Sequence, residues 1–398
     1  MKNFVKFLIV LMILLMGCDK LQENIEWQPL TAFPDNHFFP SYAWATSSWV
    51  ELPTEGFIGI QGGSIGITIK NDKDDANYSI QISAPEIAFE TKYDFKFPSE
   101  STTDWFNVYP TINKKKNKLK STTQPTPANV SFTLYKNGES CGQKNVTVVV
   151  HSIYDCPFYL KRTDSTEVSL DWMYAAYVNE NDPVIDKLLR EALNTGIVNS
   201  FTSYFGSSSQ DIANNVFRQV TALWAVLYNR GITYSTVTTP SVGINEQKLL
   251  AQKVRFPSDA LSTSQANCID GTVLFASLLR RIGISSRIVL VPGYAFVGYN
   301  DAGPMDTTNY RYLETTSLGL KFDESQVNPN DIIYYRNNLA TQVYSINKEA
   351  IYNFLNCWYT GWNEFNEAKP YIDAGYLGYL CVDVDKVRNE LNILPISR

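Results

Sequence analysis

The residues best placed for chemistry lie in one run, Gln265-Ala266-Asn267-Cys268-Ile269-Asp270. Asn267 has the side chain of a helix N-cap, and Asp270 falls in the first turn, where the helix dipole favours an anion. Val273, Leu274, Ser277, Leu278 and Ile282 then follow helical spacing, and Gly283 stops the run. The pattern puts the Cys268 thiol at the N-terminus of a buried helix. Amide N–H groups and the dipole stabilise a thiolate there, so the chemistry on offer is attack by sulfur. A nucleophile of this kind needs a base to take its proton and return it to a leaving group, and a third group to orient that base.

The elements that must supply those groups follow at once. Residues 287–291 read as a strand, Pro292-Gly293 as a turn and 295–299 as a second strand, with Tyr294 at its head. Glu314 stands just after Tyr312-Leu313. This arrangement resembles the transglutaminase-like branch of the papain-type cysteine enzymes. The resemblance runs from about Ser169 to the C-terminus. It implies an α+β core, with a helix carrying Cys268 packed on an antiparallel sheet, a His on the next strands and an acid on the strand after. Cys268 matches the first position and Glu314 the third. Where the related bacterial domains read Pro-Gly-His, this chain reads Pro292-Gly293-Tyr294. The resemblance also offers Gln265 as the oxyanion donor of papain-type sites, with capping of the loop as its alternative role.

Tyr294 changes the expected chemistry. A free phenol titrates near ~10, so it cannot both accept and return a proton near neutrality. In a serine protease built on the same logic, loss of the His costs roughly 10⁶ in kcat. The chain has only 2 His, His37 and His151. Both lie far upstream, and recruiting either requires the first domain to dock against the cleft. Three readings stay open. One is a transglutaminase-like domain that binds a peptide or glycan in its cleft without turnover, or serves as a scaffold. Another is a residual cysteine hydrolase or acyltransferase, with Cys268 as nucleophile and Glu314 as orienting acid. In the third, an envelope adhesion or assembly protein, the first domain carries the function.

The N-terminus predicts where the protein resides. Lys2 and Lys6 precede an apolar run over 7–16, too short to span a bilayer as a helix. It ends in Leu15-Met16-Gly17-Cys18, which looks like the bacterial lipobox. That resemblance implies a signal peptide over 1–17, acylation of Cys18, and a tether over 18–28 on a bacterial envelope membrane, facing the periplasm or the outside. The bilayer is then a partner through the acyl chains, at roughly 0.8 kcal/mol per buried CH₂.

From 29 to 155 the pattern is strand-like. Residues 57–60, 64–69, 78–82, 130–135 and 145–150 alternate or run β-branched, with Gly62-Gly63, Asn71-Asp72 and Asn137-Gly138 as turn signals. Several short strands at modest spacing predict an all-β immunoglobulin-like sandwich. Lys114-Lys115-Lys116-Asn117-Lys118 reads as a solvated loop tip. Beyond 156, helices are expected over 184–193, 212–230, 349–358 and 382–391. Extended chain is expected over 330–337 and 376–384. Trp358, Tyr359 and Trp362 are expected as an aromatic cluster near a loop.

Composition excludes several classes. The 398 residues carry a net charge of -6, so no basic excess exists to hold phosphates, and nucleic acid is not an expected partner. Two His and no CxxC pair argue against a metal site, and no nucleotide-binding glycine motif is present, so no cofactor is expected. Of the 6 Cys, only Cys141 and Cys156 suggest a staple; the rest read as buried thiols beside Cys18 and Cys268.

Overall fold

The structure is a computed structural model of the chain. It describes residues 25–49, 51, 55–60, 62–111, 118–162, 165–235, 242–244 and 249–397. The segment expected as a leader, with Cys18, and Lys114, Lys115 and Lys116 lie outside the described residues. Among the described residues no helix is long and apolar enough to cross a membrane.

The chain divides into two compact units. The first takes the described part of Met1–Ala32, together with Val50–Lys116 and Ala128–Val148. The second takes Phe33–Trp49, Asn117–Pro127 and Val149–Arg398. Segments 33–49 and 117–127, which sequence order counts with the first domain, therefore belong to the second unit, and so do His37 and His151.

The first unit is built of strands β1 (Trp27–Thr31), β2 (Phe57–Gly59), β3 (Ile65–Lys70), β4 (Tyr78–Ala84), β5 (Phe89–Phe95), β6 (Trp105–Tyr109), β7 (Thr126–Lys136) and β8 (Glu139–Val150). One sheet has the order β1-β3-β6-β2, antiparallel except for the parallel β2–β6 pair. The other runs β8-β7-β4-β5. Period-two alternation explains both faces. Tyr78, Ile80 and Ile82 are buried while Ser79, Gln81 and Ser83 are half-buried, and Val130, Phe132 and Leu134 do the same on β7. The rings of Tyr78, Phe97 and Phe106, at 5.1 and 5.3 Å, connect the two sheets. Asn137 (φ 49°) and Gly138 (φ 84°) supply the left-handed pair that the β7–β8 hairpin turn requires. Strands β1, β5 and β6 are additions to the expected set; β5 keeps period two, with Phe89, Thr91 and Phe95 buried and Glu90, Lys92 and Asp94 exposed.

The second unit is mixed α and β. Its first sheet contains β9 (Asp155–Lys161), β10 (Glu167–Ser169) and β11 (Leu249–Lys253), in the order β10-β9-β11 with Val242–Ile244 at the edge, all antiparallel. Helices α1 (Met173–Tyr177), α2 (Pro183–Asn194) and α3 (Ser209–Asn229) precede the cysteine helix α4 (Cys268–Arg281). The second sheet follows α4. It comprises β12 (Ser286–Val291), β13 (Tyr294–Asn300), β14 (Tyr310–Leu313) and β15 (Leu380–Asp383), in the antiparallel order β14-β13-β12-β15. Helix α4 packs on β13 and β12. Its residues 268–279 are buried on every side.

Two expectations fail here. Residues 330–337 are not extended; they form helix α5 (Pro329–Asn338). Asn328 caps it by accepting the Asn330 N–H at 2.9 Å, and Pro329 occupies the first turn. Tyr334 and Tyr335 suggest a strand by propensity, but Tyr335 is buried and its hydroxyl bonds with Thr221 of α3, so tertiary packing overrides the local preference. Trp358, Tyr359 and Trp362 lie not near a loop but mid-way along α6 (Thr341–Asp373), a helix of 33 residues. The terminal helix α7 (Val384–Leu391) starts at Asp383, whose side chain accepts the Lys386 N–H.

Candidate functional site

Cys268 begins α4 as the spacing predicts. Asn267 Oδ1 accepts the Asp270 N–H at 2.8 Å and Asp270 Oδ2 accepts the Asn267 N–H at 3.2 Å, a reciprocal capping box. Asp270 is 1% exposed and also takes the Arg255 N–H at 2.7 Å and Arg255 Nε at 2.8 Å. Three donors around one buried carboxylate set the direction in which the helix enters the core. Asp270 is therefore a positioning residue, not an acid of the site.

The Cys268 side chain borders a cavity of about 250 Å³. The residue is 8% exposed, and burial pushes its thiol up from the ordinary range. Backbone N–H groups near the sulfur, those of Ile269 and Ala295 foremost, offset part of that rise, while the nearby Asp270 charge adds to it. The backbone carbonyl of Cys268 accepts Thr272 Oγ1 at 2.7 Å and Thr315 Oγ1 at 3.4 Å, which ties α4 to the segment carrying Glu314. Gly271 makes that approach possible: a Cβ there would lie 3.2 Å from Thr315 Oγ1.

Glu314 follows the last residue of β14 and is 2% exposed. Its carboxylate accepts the N–H groups of Thr316 and of Ser317, the latter at 2.8 Å, and its own N–H donates to the Cys357 carbonyl of α6 at 3.0 Å. Helix α6 comes this close because residue 361 is glycine. A Cβ there would stand 2.7 Å from the Tyr312 carbonyl and 2.8 Å from the Glu314 nitrogen. Phe365, one turn on, stacks on Tyr312 at 3.7 Å.

Tyr294 occupies the central place. Its phenol lies beside the Glu314 carboxylate. Burial first, and then the Glu314 charge, drive the phenol far above its usual value, so it keeps its proton. Tyr234 borders the same cavity, 42% exposed; burial raises its phenol, and the proximity of Cys268 and Glu314 adds to the rise. Sulfur, phenol and carboxylate are thus gathered at one place.

Gln265 is a correction. It is exposed and does not line the cavity. Gln265-Ala266 forms a two-residue strand parallel to Thr233-Tyr234, and strand alternation turns Ala266 inward and Gln265 out. The glutamine that does border the cavity is Gln252 of β11, whose Oε1 accepts the hydroxyl of the fully buried Tyr174 at 2.8 Å. With Oε1 so engaged, the NH₂ of Gln252 is the end left for a ligand. The Leu249-Leu250-Ala251 run was the only local signal for β11, and nothing in it marks Gln252 as facing a thiol.

The two imidazoles are elsewhere in the second unit. His37 Nδ1 and His151 Nε2 are 2.8 Å apart, His151 Nδ1 is 3.5 Å from Asp155 Oδ2, and Phe39 stacks on His151 at 4.0 Å. Neither lines the cavity. Cys141 and Cys156 form no staple: Cys141, Cys156, Cys268, Cys357 and Cys381 are all free thiols. Burial holds Cys156 and Cys357 well above the usual range and takes Cys381 to about 11, so none rivals Cys268. Among the described residues no group of His, Cys, Asp and Glu is arranged to hold a metal.

No protein-family model matches the chain, and no curated protein matches it. Among solved structures the chain is similar to a proposed cysteine protease from Cytophaga hutchinsonii, at 15% identity over 63% of this chain and 74% of that one, with a TM-score of 0.22. It is also similar to a transglutaminase of red sea bream, at 9% identity over 64% of this chain and 48% of that one, with a TM-score of 0.22.

Proposed function

We propose that the second unit is a transglutaminase-like domain whose cleft binds a peptide and does not turn it over. The observation that carries this reading is a phenol, Tyr294, bordering the Cys268 cavity beside the buried Glu314 carboxylate. The carboxylate that would orient a base instead faces a phenol, and that phenol cannot take the Cys268 proton near neutrality. What remains is a binding site. The amides near the sulfur and the Gln252 NH₂ suit a carbonyl group, and Phe158, Tyr174 and Leu290 offer an apolar wall. We assign the first unit as an immunoglobulin-like sandwich that carries this domain, on an envelope lipoprotein anchored through Cys18.

One observation favours a second reading, a residual thiol enzyme: backbone N–H groups near the sulfur are also what a thiolate or an oxyanion would use.

Alkylation separates the two. Iodoacetamide at neutral pH is expected to label Cys268 no faster than a simple thiol, and Cys268→Ala to retain peptide binding scored on a peptide array. Gln252→Ala should weaken that binding. Rapid labelling, together with acyl turnover abolished by Cys268→Ala, would overturn the binding reading. A mature N-terminal fragment lacking fatty acids by mass spectrometry would overturn the anchor.

A further inference from the structure

A second concavity adjoins the Cys268 cavity. Val291 and Pro292, at the β12–β13 turn, line both. The second is an open groove of about 450 Å³, walled on its far side by Glu364, Glu367, Ala368 and Tyr371 of α6 and by Tyr379. The four helical positions are spaced i, i+3, i+4 and i+7, so they form one face of the helix. Two carboxylates, Glu364 half-buried and Glu367 exposed, would by themselves be a solvated surface. Here they stand inside a concave wall with an aromatic pair. Tyr371 and Tyr379 stack with centroids 4.7 Å apart, and Tyr376 closes on Tyr371 edge-on at 5.7 Å. Tyr371 is still 45% exposed, so ring surface is left for a ligand.

Glu364 and Glu367 have no ion-pair or hydrogen-bond partner among the described residues. Neighbouring exposed acids do: Asp373 pairs with Lys369 one turn along the same helix. Glu364 is half-buried and close enough to Tyr294 to push its phenol upward, so the groove and the Tyr294–Glu314 pair share one electrostatic field. Two unpaired carboxylates beside exposed tyrosine rings fit a cation, held by charge and by the ring quadrupole together.

We infer that this groove is a subsite for a basic side chain, lysine or arginine, of the peptide whose neighbouring residue enters the Cys268 cavity. The inference deepens the peptide-binding reading above and rests on it for the identity of the ligand. The shared Val291-Pro292 wall makes the two positions adjacent along one extended chain. The net charge of -6 favours a basic partner on approach.

The test uses the full chain and tetra-lysine amide as probe, with tetra-glutamate as its opposite, by titration calorimetry at low salt. Tetra-lysine should bind and tetra-glutamate should not. Glu364→Gln/Glu367→Gln should weaken tetra-lysine at least ~10-fold, and Tyr371→Ala a few-fold. Asp94→Asn/Glu100→Gln, which removes as much charge from the first unit, should leave it unchanged. Equal loss in that control, or no loss in the groove variants, overturns the subsite. Carboxamidomethylation of Cys268 makes the two proposals separable. Tetra-lysine binding that survives it, and is still lost on Glu364→Gln/Glu367→Gln, supports the groove whatever becomes of the cavity reading.

Discussion

Within the second unit, two places hold complementary halves of one chemistry. At the start of α4 a thiol borders a cavity, beside a carboxylate, with no imidazole near it. At the His37–His151 pair two imidazoles and the Asp155 carboxylate form a chain, with no thiol in it. Each is internally satisfied. The first settles its carboxylate by hydrogen bonds from the Thr316 and Ser317 N–H groups. The second settles its ring nitrogens on each other. Nucleophilic catalysis needs an unsatisfied step between neighbours, a proton with somewhere to go. Possession of the residue types is therefore not the criterion; their hydrogen-bond partners are.

The largest effect is expected from the frame of the thiol site rather than from its reactive atoms. Asp270→Ala removes a fully buried side chain that three donors use, and leaves Arg255 without its partner. The cost should be about 3–5 kcal/mol in denaturant unfolding. A loss under ~1 kcal/mol would show that the capping box does not hold α4 in place. Gly361→Ala should follow closely, because a Cβ there meets backbone at 2.7 Å with no side chain able to yield.

Moving the missing half across the molecule comes next. Tyr294→His puts an imidazole against Glu314 at the place where a base belongs. Cys268 alkylation near neutrality should then accelerate about 10²-fold, with a pH profile that bends at the new His. An unchanged rate would mean that Tyr294 and Cys268 are too far apart for proton transfer, and that the cleft is a binding site by its geometry as well as its chemistry. Tyr294→Phe is the milder companion. It removes a phenol O–H beside a buried carboxylate that keeps its two N–H partners, so at most about 1 kcal/mol of stability should go, with no gain in alkylation.

How much of this was legible depends on the distance over which each signal acts. Helix α4 and the β12–β13 hairpin are local objects: Asn267, Asp270, the apolar period and Pro292-Gly293 define them within a few residues, and the structure keeps them. Cys268, Tyr294 and Glu314 converge because those objects are consecutive in the chain. Gln252 and Tyr174 were invisible because β9 and β11 pair across some ninety residues, a register that composition does not encode. The length of α6 was missed because Gly361 and Pro370 interrupt its helical pattern, while Gly361 is there to let the helix close on β14. Segment 33–49 was misplaced for a related reason. Sequence order assigns it to the first domain, yet His37-Phe38 runs beside Val149-Val150 and its ring nitrogen ends on His151. Long-range pairing decides such cases, and local periodicity carries no information about it.

The imidazole half yields the smallest effect and the one with the clearest sign. Burial lowers the His37 pKa from its ordinary 6.5, the neighbouring His151 lowers it further, and Asp35 opposes them. Asp155, whose Oδ2 also takes the Ser152 N–H at 3.0 Å, faces His151 from β9, and Phe39 covers the ring. A lowered folded-state pKa means that the unfolded chain binds the proton first. The stability contributed by neutral His37 is therefore fully present above 6.5, and is lost as pH falls from there through the folded-state value. The unfolding temperature should be flat between about pH 8 and 7 and should drop by a few degrees toward pH 5. His37→Gln should flatten that drop while leaving Cys268 alkylation untouched. A variant that altered both would join the two halves electrostatically and end the separation drawn between them.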